Sequence, residues 1–291
     1  MHYNFYILHY NALTMKRSRI LAVWSLLLIA SGAFGQEQDG YRLVWSDEFN
    51  TDGAPDTAVW LFEHGFVRNH EDQWYQPENA VCKDGLLVIE ARKERKLNPN
   101  FVKGSPDWKK SRQWIEYTSA SMNTRRSNAW QYGRMEIRAR IDIRPGSWPA
   151  FWTLGVAGEW PRNGEVDIME FYRGVILANY AWGGVERFRP HWNSVKIPVS
   201  SFNKNWASEF HTWRLDWDAG SMKIYLDGEL LNEMDLSVTI NESDGKNPFR
   251  QSHYILINQA LGGDNGGSPA DTVFPVRYEV DYVRVYRKEG K

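Results

Sequence analysis

The sequence predicts an all-β sandwich folded as one large domain. Short apolar or alternating runs recur along the chain, separated by Gly, Asp and Asn turn signals. Few windows show a helical period beyond one or two turns, which argues against a helical or mixed fold. The 291 residues are enough for a single domain with a substantial core, and the sequence has no internal repeat or low-complexity linker.

The first 35 residues are predicted to be a secretory signal peptide with an upstream extension. A basic start at 15–19 precedes an apolar run at 20–30, and small residues up to Gly35 offer a cleavage site. The run is short for a membrane span, and no cysteine stands at the cleavage site to carry a lipid anchor. We therefore expect export, to the periplasm or outside the cell, of a mature domain at 36–291.

Strand patterns follow one another through the mature domain, at 42–49, 79–82, 86–92, 117–125, 132–143, 148–154, 165–172, 175–182, 211–218, 223–226, 229–231, 254–261 and 278–286. Asp-Gly pairs at 84–85 and 227–228 are hairpin signals. Two polar segments, 97–116 and 188–205, are predicted to be long loops, and loops of this length are usually functional. We expect the first of them to form a wall of a cleft.

Composition narrows the classes of partner. The net charge is −1 and no nucleic-acid motif occurs, so nothing in the composition suggests nucleic acid as a partner. The chain has 15 Trp, 14 Tyr and 13 Phe, more than core packing alone demands, and a cleft that stacks the flat apolar faces of sugar rings uses such side chains. An aromatic-rich β core is an alternative that does not exclude the first. Cys82 is the one cysteine, so no internal disulfide is possible, and we expect it to be buried.

Acidic and apolar residues alternate at 164–171, which is a strand pattern. Strict alternation puts Glu165 and Asp167 on one face but Glu170 in the core, where a charge is costly. A β-bulge at Ile168-Met169 adds one residue and brings Glu170 onto the acidic face. Carboxylates so close push their pKa values apart, which is what acid–base chemistry on a glycosidic bond requires. The alternative is a charged outer face of an edge strand.

Tryptophans just upstream favour the catalytic interpretation. Trp148 and Trp152 are four residues apart, so an extended strand places them on one face. A strand beside the three acids would then offer two indoles to a sugar. No Gly-x-Ser-x-Gly, His-Glu-x-x-His or paired-cysteine motif occurs, which disfavours a serine hydrolase or a zinc enzyme.

Six stretches in order resemble glycoside hydrolase family 16: 45–50, 132–139, 148–155, 164–170, 257–263 and 280–286. The resemblance covers about residues 41–287, and it implies a concanavalin-type β-jelly roll of two antiparallel sheets with a concave substrate cleft. The family contains β-glucanases, laminarinases, agarases, porphyranases and carrageenases. The implied activity is that of a retaining, endo-acting β-glycanase, with 36–291 as the catalytic domain.

The resemblance also implies a role for each acid. Glu165 matches the nucleophile that forms a glycosyl-enzyme. Glu170 matches the general acid, which later activates water. Asp167 matches an assisting carboxylate that tunes both and hydrogen-bonds to the nucleophile. A nucleophile–acid pair about 5–5.5 Å apart implies retention of configuration.

The expected substrate-binding residues are Trp148, Trp152, Asn69, Glu71, Arg134, Asn179 and Trp182. A core position for the two β-strand tryptophans and a solvated strand face for Arg134 are the alternatives. Many relatives carry a histidine where this chain has Ala181, and this difference puts the substrate in doubt. His191 and Trp192 of the second long loop could supply part of the missing contact.

A structural calcium ion is common in relatives, and the matching positions are Glu48, the Gly85 backbone and Asp281. The alternative is that these are ordinary surface carboxylates. Catalysis is expected to need no cofactor. The expected partner is a polysaccharide, with no nucleic acid and no stable membrane anchor, and the chain is expected to be a monomer.

Three hypotheses for the activity follow. The first is hydrolysis of β-1,3- or mixed-linkage glucan. The second is a galactanase of the agarase, porphyranase or carrageenase type, suggested by Ala181, by the two long loops and by arginines at 125, 126, 187 and 189. The third is a carbohydrate-binding sandwich without catalysis, which would have no need of three acids together.

Overall fold

Residues 37–38 and 40–290 are described by the computed structural model. The predicted signal peptide and its cleavage site at Gly35 lie outside the described residues. The strands are β1 (Glu37–Gln38), β2 (Tyr41–Asp47), β3 (Leu61–Phe62), β4 (Gln73–Tyr75), β5 (Ala80–Lys83), β6 (Leu86–Leu97), β7 (Trp114–Ser119), β8 (Ser121–Asn123), β9 (Gly133–Ile141), β10 (Ser147–Gly155), β11 (Glu165–Tyr172), β12 (Val175–Gly183), β13 (Pro190–Pro198), β14 (His211–Trp217), β15 (Ser221–Leu226), β16 (Glu229–Asp235), β17 (His253–Leu261) and β18 (Val276–Lys288).

Helices are few and short in the described chain. The α-helices are α1 (Trp108–Ser111) and α2 (Gly263–Gly266), and the 3-10 turns are Pro77–Asn79, Val199–Ser201, Trp206–Ser208 and Leu236–Val238. Across 37–38 and 40–290, no helix has the length and apolar character that crossing a membrane requires.

The strands form two sheets, as predicted. The large sheet has eleven strands, in the order β16-β15-β14-β9-β18-β6-β7-β4, with β2 and β5 also paired to β18 and β6 and β1 paired to β2. The small sheet has seven strands, in the order β13-β12-β11-β10-β17-β8-β3. The pairings in the small sheet are antiparallel, and β4 with β7 is a parallel pair in the large sheet. The all-β sandwich predicted from the strand patterns is therefore confirmed.

The core lies between the two sheets. One cluster of buried side chains includes Met135 and Ile137 from β9 of the large sheet and Phe151 and Val166 from β10 and β11 of the small sheet. Alternate residues of these strands point away from the cluster, because successive strand side chains face opposite sides. The outer face of the small sheet is therefore free to carry polar side chains.

Two hairpin turns and the cysteine agree with their predictions. Asp84 and Gly85 have φ angles of 53° and 77°, and Asp227 and Gly228 have φ angles of 51° and 89°. Positive φ at both central residues is the geometry that Asp-Gly hairpins favour. Cys82 is a free cysteine with 4% of its surface exposed.

Three predictions of element boundaries were wrong. The strand predicted at 117–125 is two strands, because the chain passes from the large sheet to the small sheet at Ala120, between β7 and β8. The loop predicted at 188–205 contains β13, which pairs along its whole length with β12 at the edge of the small sheet. Proline at both ends concealed this strand, although proline is tolerated at the ends of edge strands. The loop predicted at 97–116 is shorter, because β6 ends at Leu97 and β7 begins at Trp114, and the segment between them is irregular apart from α1. None of its residues is among those that line the cleft, which contradicts the expected cleft wall.

A buried histidine makes the stability of the fold depend on pH. His253 is fully buried; its Nε2–H donates to the Pro248 carbonyl at 3.0 Å and its Nδ1 accepts from the Thr153 hydroxyl at 3.0 Å. Burial lowers the pKa of His253 to about 4 from 6.5. The unfolded chain therefore takes up a proton below pH 6.5 that the folded chain refuses until about pH 4.

We expect this histidine to cost stability in acid. As pH falls from 6.5 towards 4, the wild type should lose about 3 kcal/mol of unfolding free energy through His253, whereas His253→Gln should lack this loss. Urea unfolding of both proteins at pH 7.5 and at pH 4.5 measures it. A stability difference between wild type and variant that does not change with pH would contradict the assignment.

Candidate active site

A cleft of about 770 Å³ lies on the outer face of the small sheet. Strands β10 to β13 supply its floor, and residues 68–71 supply part of a wall. The three acidic residues of β11, Glu165, Asp167 and Glu170, all line it. The strand predicted to carry three carboxylates on one face thus lies in the middle of the cleft.

A β-bulge in β11 gives the acids their common face. Met169 pairs with Phe151 and Asp167 with Trp152, so Ile168 is an extra residue with no partner of its own on β10. The pairing with β12 shifts at the same place, between Asp167 and Glu170. Ile168 and Met169 are both fully buried, together with Val166. The bulge predicted to turn Glu170 out of the core is confirmed.

Register arranges the cleft floor in three rows across β10, β11, β12 and β13. The rows are Leu154–Glu165–Ala181–Trp192, Trp152–Asp167–Asn179–Ser194 and Ala150–Glu170–Leu177–Lys196. Neighbouring strands are about 4.8 Å apart, so each acid lies within reach of side chains from the strands on both sides.

Indole N–H groups hold the two outer carboxylates. Trp160 Nε1 donates to Glu165 Oε2 at 2.9 Å. Trp148 Nε1 donates to Glu170 Oε1 at 2.8 Å. Each indole has a single donor, so each bond fixes the orientation of one carboxylate.

Asn179 connects Asp167 and Glu170. Its Nδ2 donates to Asp167 Oδ2 at 3.0 Å and to Glu170 Oε2 at 3.1 Å. The hydrogen bond expected between Asp167 and Glu165 is not formed. Asn179 lies opposite Asp167 on β12 and takes the carboxylate instead.

Burial raises the pKa values of all three acids, and repulsion from neighbouring carboxylates raises those of Glu165 and Glu170 further. Burial is the largest cause for Glu165, whose pKa lies well above its ordinary value, and the charges of Asp167 and Glu170 add to it. Burial raises the pKa of Asp167 to about 7 and that of Glu170 to about 8, the latter also through the charge of Asp167. Hydrogen bonds from Trp148 and Asn179 oppose the rise at Glu170. The group therefore retains protons near neutral pH.

A family model described as Glycosyl hydrolases family 16 matches residues 68–284. The chain belongs to this family. It is therefore a glycoside hydrolase by descent, and the resemblance inferred from six sequence stretches is confirmed.

Relatives within family 16 span two kinds of described activity. A beta-glucanase of Rhodothermus marinus is 33% identical over 297 residues, covering 94% of this chain and 96% of the relative. The catalytic domain of a laminarinase from Thermotoga petrophila RKU-1 superposes with a TM-score of 0.72 at 31% identity, covering 86% of this chain and 98% of that one. A structure from work on endo-acting O-glycanases of the human gut microbiota superposes with a TM-score of 0.79 at 33% identity, covering 88% and 94%.

Five of the predicted substrate-binding residues line the cleft beside the acids: Asn179, described above, and Asn69, Glu71, Trp148 and Trp152. Asn69 and Glu71 come from the segment before β4, where burial raises the pKa of Glu71 and Gln73 Nε2 donates to Glu71 Oε2 at 2.7 Å. Trp148 and Trp152 come from β10 with only 5% and 8% of their surfaces exposed. Their contact with substrate stays a prediction.

Trp152 is enclosed rather than open. Its Nε1 donates to Asn258 Oδ1 at 2.7 Å, and the Arg68 guanidinium lies over its ring at 5.3 Å. Arg68 is in turn hydrogen-bonded to Glu63. This indole therefore packs and orients polar groups of the cleft, with little free face for a sugar.

Two predicted substrate-binding residues are elsewhere. Arg134 lies on β9 of the large sheet, where its Nε and Nη2 donate to Asp216 at 2.7 and 3.0 Å and its guanidinium covers Tyr41 at 4.2 Å. Trp182 follows Ala181 on β12, so it faces the core side and packs against the core cluster. Both predictions were wrong: Arg134 belongs to the large sheet and does not line the cleft, and strand alternation turns Trp182 towards the core.

Other cleft residues escaped the sequence analysis. Trp160 was visible only as part of the turn before β11, and Arg68 and Asn258 come from distant parts of the chain. Lys196 was hidden by the prediction of a loop at 188–205. Only the pairing of strands brings these residues together.

The residues predicted to bind calcium do not fit a cation site as they are arranged. Glu48 accepts two hydrogen bonds from Arg284, at 2.9 and 2.8 Å, and these bonds lower its pKa. Asp281 is paired with Arg138. Within residues 37–38 and 40–290, no group of three or more acidic, histidine or cysteine side chains could hold a metal. Calcium binding stays a prediction that would require both arginines to release these carboxylates.

Removing the Asn179 amide should shift the pH profile. This amide favours the ionised form of Glu170, so Asn179→Ala should raise the pKa of Glu170 further. We expect the alkaline limb of kcat/KM to move up by about one pH unit. Asn50→Ala, which removes an exposed amide after β2, is the matched control. An alkaline limb unchanged in Asn179→Ala would show that the amide does not act on the titrating acid.

Proposed function

We propose that this chain is an endo-acting β-glycanase that hydrolyses polysaccharide with retention of configuration, in two displacements. The observation that carries the proposal is the bulged face of β11, where Glu165, Asp167 and Glu170 meet in one cleft. The indole N–H groups of Trp160 and Trp148 each donate a hydrogen bond to one of the two outer acids. Catalysis on a glycosidic bond needs clustered carboxylates, whereas sugar binding alone does not. The arrangement therefore argues against a non-catalytic sandwich.

Glu165 is the nucleophile in this proposal. In the first step its carboxylate oxygen bonds to the anomeric carbon while the glycosidic C–O bond breaks, and Glu170 gives its proton to the departing oxygen. In the second step water attacks the anomeric carbon, Glu170 takes the proton from that water, and Glu165 is released. Atoms and charge balance over the two steps.

Burial and like charge hold protons in this group of acids, and the division of roles between Glu165 and Glu170 follows the resemblance to family 16. The mechanism needs Glu165 ionised and Glu170 protonated at the start. Burial and the neighbouring carboxylates raise the pKa of both residues, while Trp160 and Arg68 oppose the rise at Glu165 and Trp148 and Asn179 oppose it at Glu170. Asp167, which shares the Asn179 amide with Glu170, thus helps the acid to keep its proton.

For the substrate, we propose a β-1,3- or mixed-linkage glucan. The beta-glucanase of Rhodothermus marinus aligns over nearly its full length, and the laminarinase domain of Thermotoga petrophila is also covered almost completely. A cleft that crosses four strands suits cleavage within a chain. The signal-peptide pattern supports export, which brings the enzyme to an extracellular polymer.

A β-galactan or galactose-containing glycan is the second candidate. The O-glycanase structure has a TM-score of 0.79 with this chain, against 0.72 for the laminarinase domain. Ala181 leaves a methyl group beside Glu165, and Lys196 adds a cation to the cleft. Both features favour a substrate that differs from a plain glucan.

A reducing-end assay tests activity and substrate together. The panel is laminarin, lichenan, agarose, porphyran, carrageenan, keratan sulfate and mucin O-glycans. We expect the wild type to release oligosaccharides from laminarin or lichenan, and Glu165→Gln and Glu170→Gln to lose at least about a thousandfold in kcat because each removes one chemical role.

Glu229→Gln, at an exposed position on β16, is the matched control and should retain full activity. Circular dichroism should show all three variants folded. Normal turnover by either active-site variant would contradict the assignment. Cleavage restricted to the galactose-containing polymers would favour the second candidate over the first.

A further inference from the structure

The edge strand β13 presents an open strip to the cleft. Trp192, Ser194 and Lys196 alternate along it, line the cleft and are all exposed. Trp192 has 47% of its surface exposed, whereas Trp148 and Trp152 of β10 have 5% and 8%. Of these three cleft indoles, Trp192 is the one with a broad face left uncovered.

Trp192 occupies a defined place relative to the nucleophile. It lies in the same row as Glu165, with Ala181 of β12 between them. Two strand spacings, about 10 Å, separate the backbones of Trp192 and Glu165. Ala181 contributes only a methyl group, so its side chain leaves space above the sheet between the Trp192 indole and the Glu165 carboxylate. A sugar further along the chain from the cleaved bond can lie there.

Among the described residues, no side chain covers the Trp192 ring by stacking on it. Within 37–38 and 40–290, the Trp192 side chain makes no ring stacking, cation–π contact or hydrogen bond, whereas its backbone pairs with Ala181. An exposed apolar ring that lines a cleft suggests a ligand that covers it. The face of a pyranose ring, which is apolar at its C–H groups and polar at its rim, suits this environment.

The turn before β11 is paired with the hairpin that leads into β13. Trp160, which holds Glu165, belongs to the turn before β11, and Glu159 of that turn accepts hydrogen bonds from Arg187 at 2.9 and 2.8 Å. Arg187 belongs to the hairpin that leads into β13. The ion pair is exposed and adds little stability, but it ties the two segments that carry Trp160 and Trp192.

We propose that Trp192 is the stacking platform of a substrate-binding subsite on the β12–β13 side of the cleavage point. The subsite lies above Ala181 and takes a pyranose ring that is remote from the cleaved bond. The proposal rests on the proposed function in one respect, that cleavage occurs at Glu165. Trp192 is therefore a specificity-determining residue that binds substrate without taking part in the chemistry.

This position predicts which kinetic constant changes. Contacts with a remote ring are equal in the ground state and the transition state unless they are used for distortion, so their loss raises KM and leaves kcat. Short oligosaccharides that do not reach β13 should be insensitive. Long chains should lose affinity when the indole is removed.

Binding is measured first, independently of turnover. Glu165→Gln protein is run in gels that contain laminarin, lichenan or keratan sulfate, alone and combined with Trp192→Ala or Trp192→Phe. We expect Trp192→Ala to weaken binding of the retained polysaccharide on the order of tenfold, and Trp192→Phe to keep most of it. Trp114→Ala is the matched control, because Trp114 is 37% exposed on β7 of the large sheet.

Turnover is measured next, with Trp192→Ala in the otherwise native chain and oligosaccharides of increasing length. KM should rise for the long members with kcat unchanged. Three results would overturn the subsite. Trp192→Ala could leave gel binding unaltered, or Trp114→Ala could cause an equal loss. The third is that Glu165→Gln protein with Trp192 intact binds none of the polymers. Polymer binding that depends on Trp192 without cleavage by wild type would instead overturn the proposed function and leave the subsite standing.

Discussion

The β-bulge at Ile168 is the constraint on which the site depends. With strict alternation, β11 would direct Glu170 into a core already filled by Phe151 and Val166. One extra residue lets both Ile168 and Met169 enter the core, so a third carboxylate reaches the cleft. The cost is a local break in the ladder with β10 and β12, which a central strand paired on both sides can sustain. The same β-bulge therefore completes the packing of the core and places Glu170 in the cleft.

Hydrogen-bond donors from neighbouring strands offset part of the cost of burying these carboxylates together. Three acids on one face lose hydration, which raises the pKa of each, and repulsion between carboxylates raises those of Glu165 and Glu170 further. Indole and amide N–H groups from β10, β12 and the turn before β11 compensate part of this. None of these donors carries a charge, so they orient the acids without removing the proton that acid catalysis needs.

Local patterns made much of the fold and the acid constellation predictable. Alternation, Asp-Gly turns and the cost of burying Glu170 depend on near neighbours, and the bulge followed from them. Predictions failed where pairing between distant segments decided the outcome. Arg134 belongs to the opposite sheet, and Trp182 faces the core side of its own strand. Trp192 could not be placed because β13 was taken for a loop, and only its pairing with β12 defines its face.

Chemical rescue tests the central claim, that Glu165 is the nucleophile and Glu170 the acid, most directly. Glu165→Ala and Glu170→Ala are each incubated with azide and an activated aryl glycoside. The glycoside carries the oligosaccharide that the wild type releases. The account predicts an α-glycosyl azide from Glu165→Ala, by one displacement, and a β-glycosyl azide from Glu170→Ala, through the glycosyl-enzyme. Exchanged anomers, or a β-azide from Glu165→Ala, would contradict it.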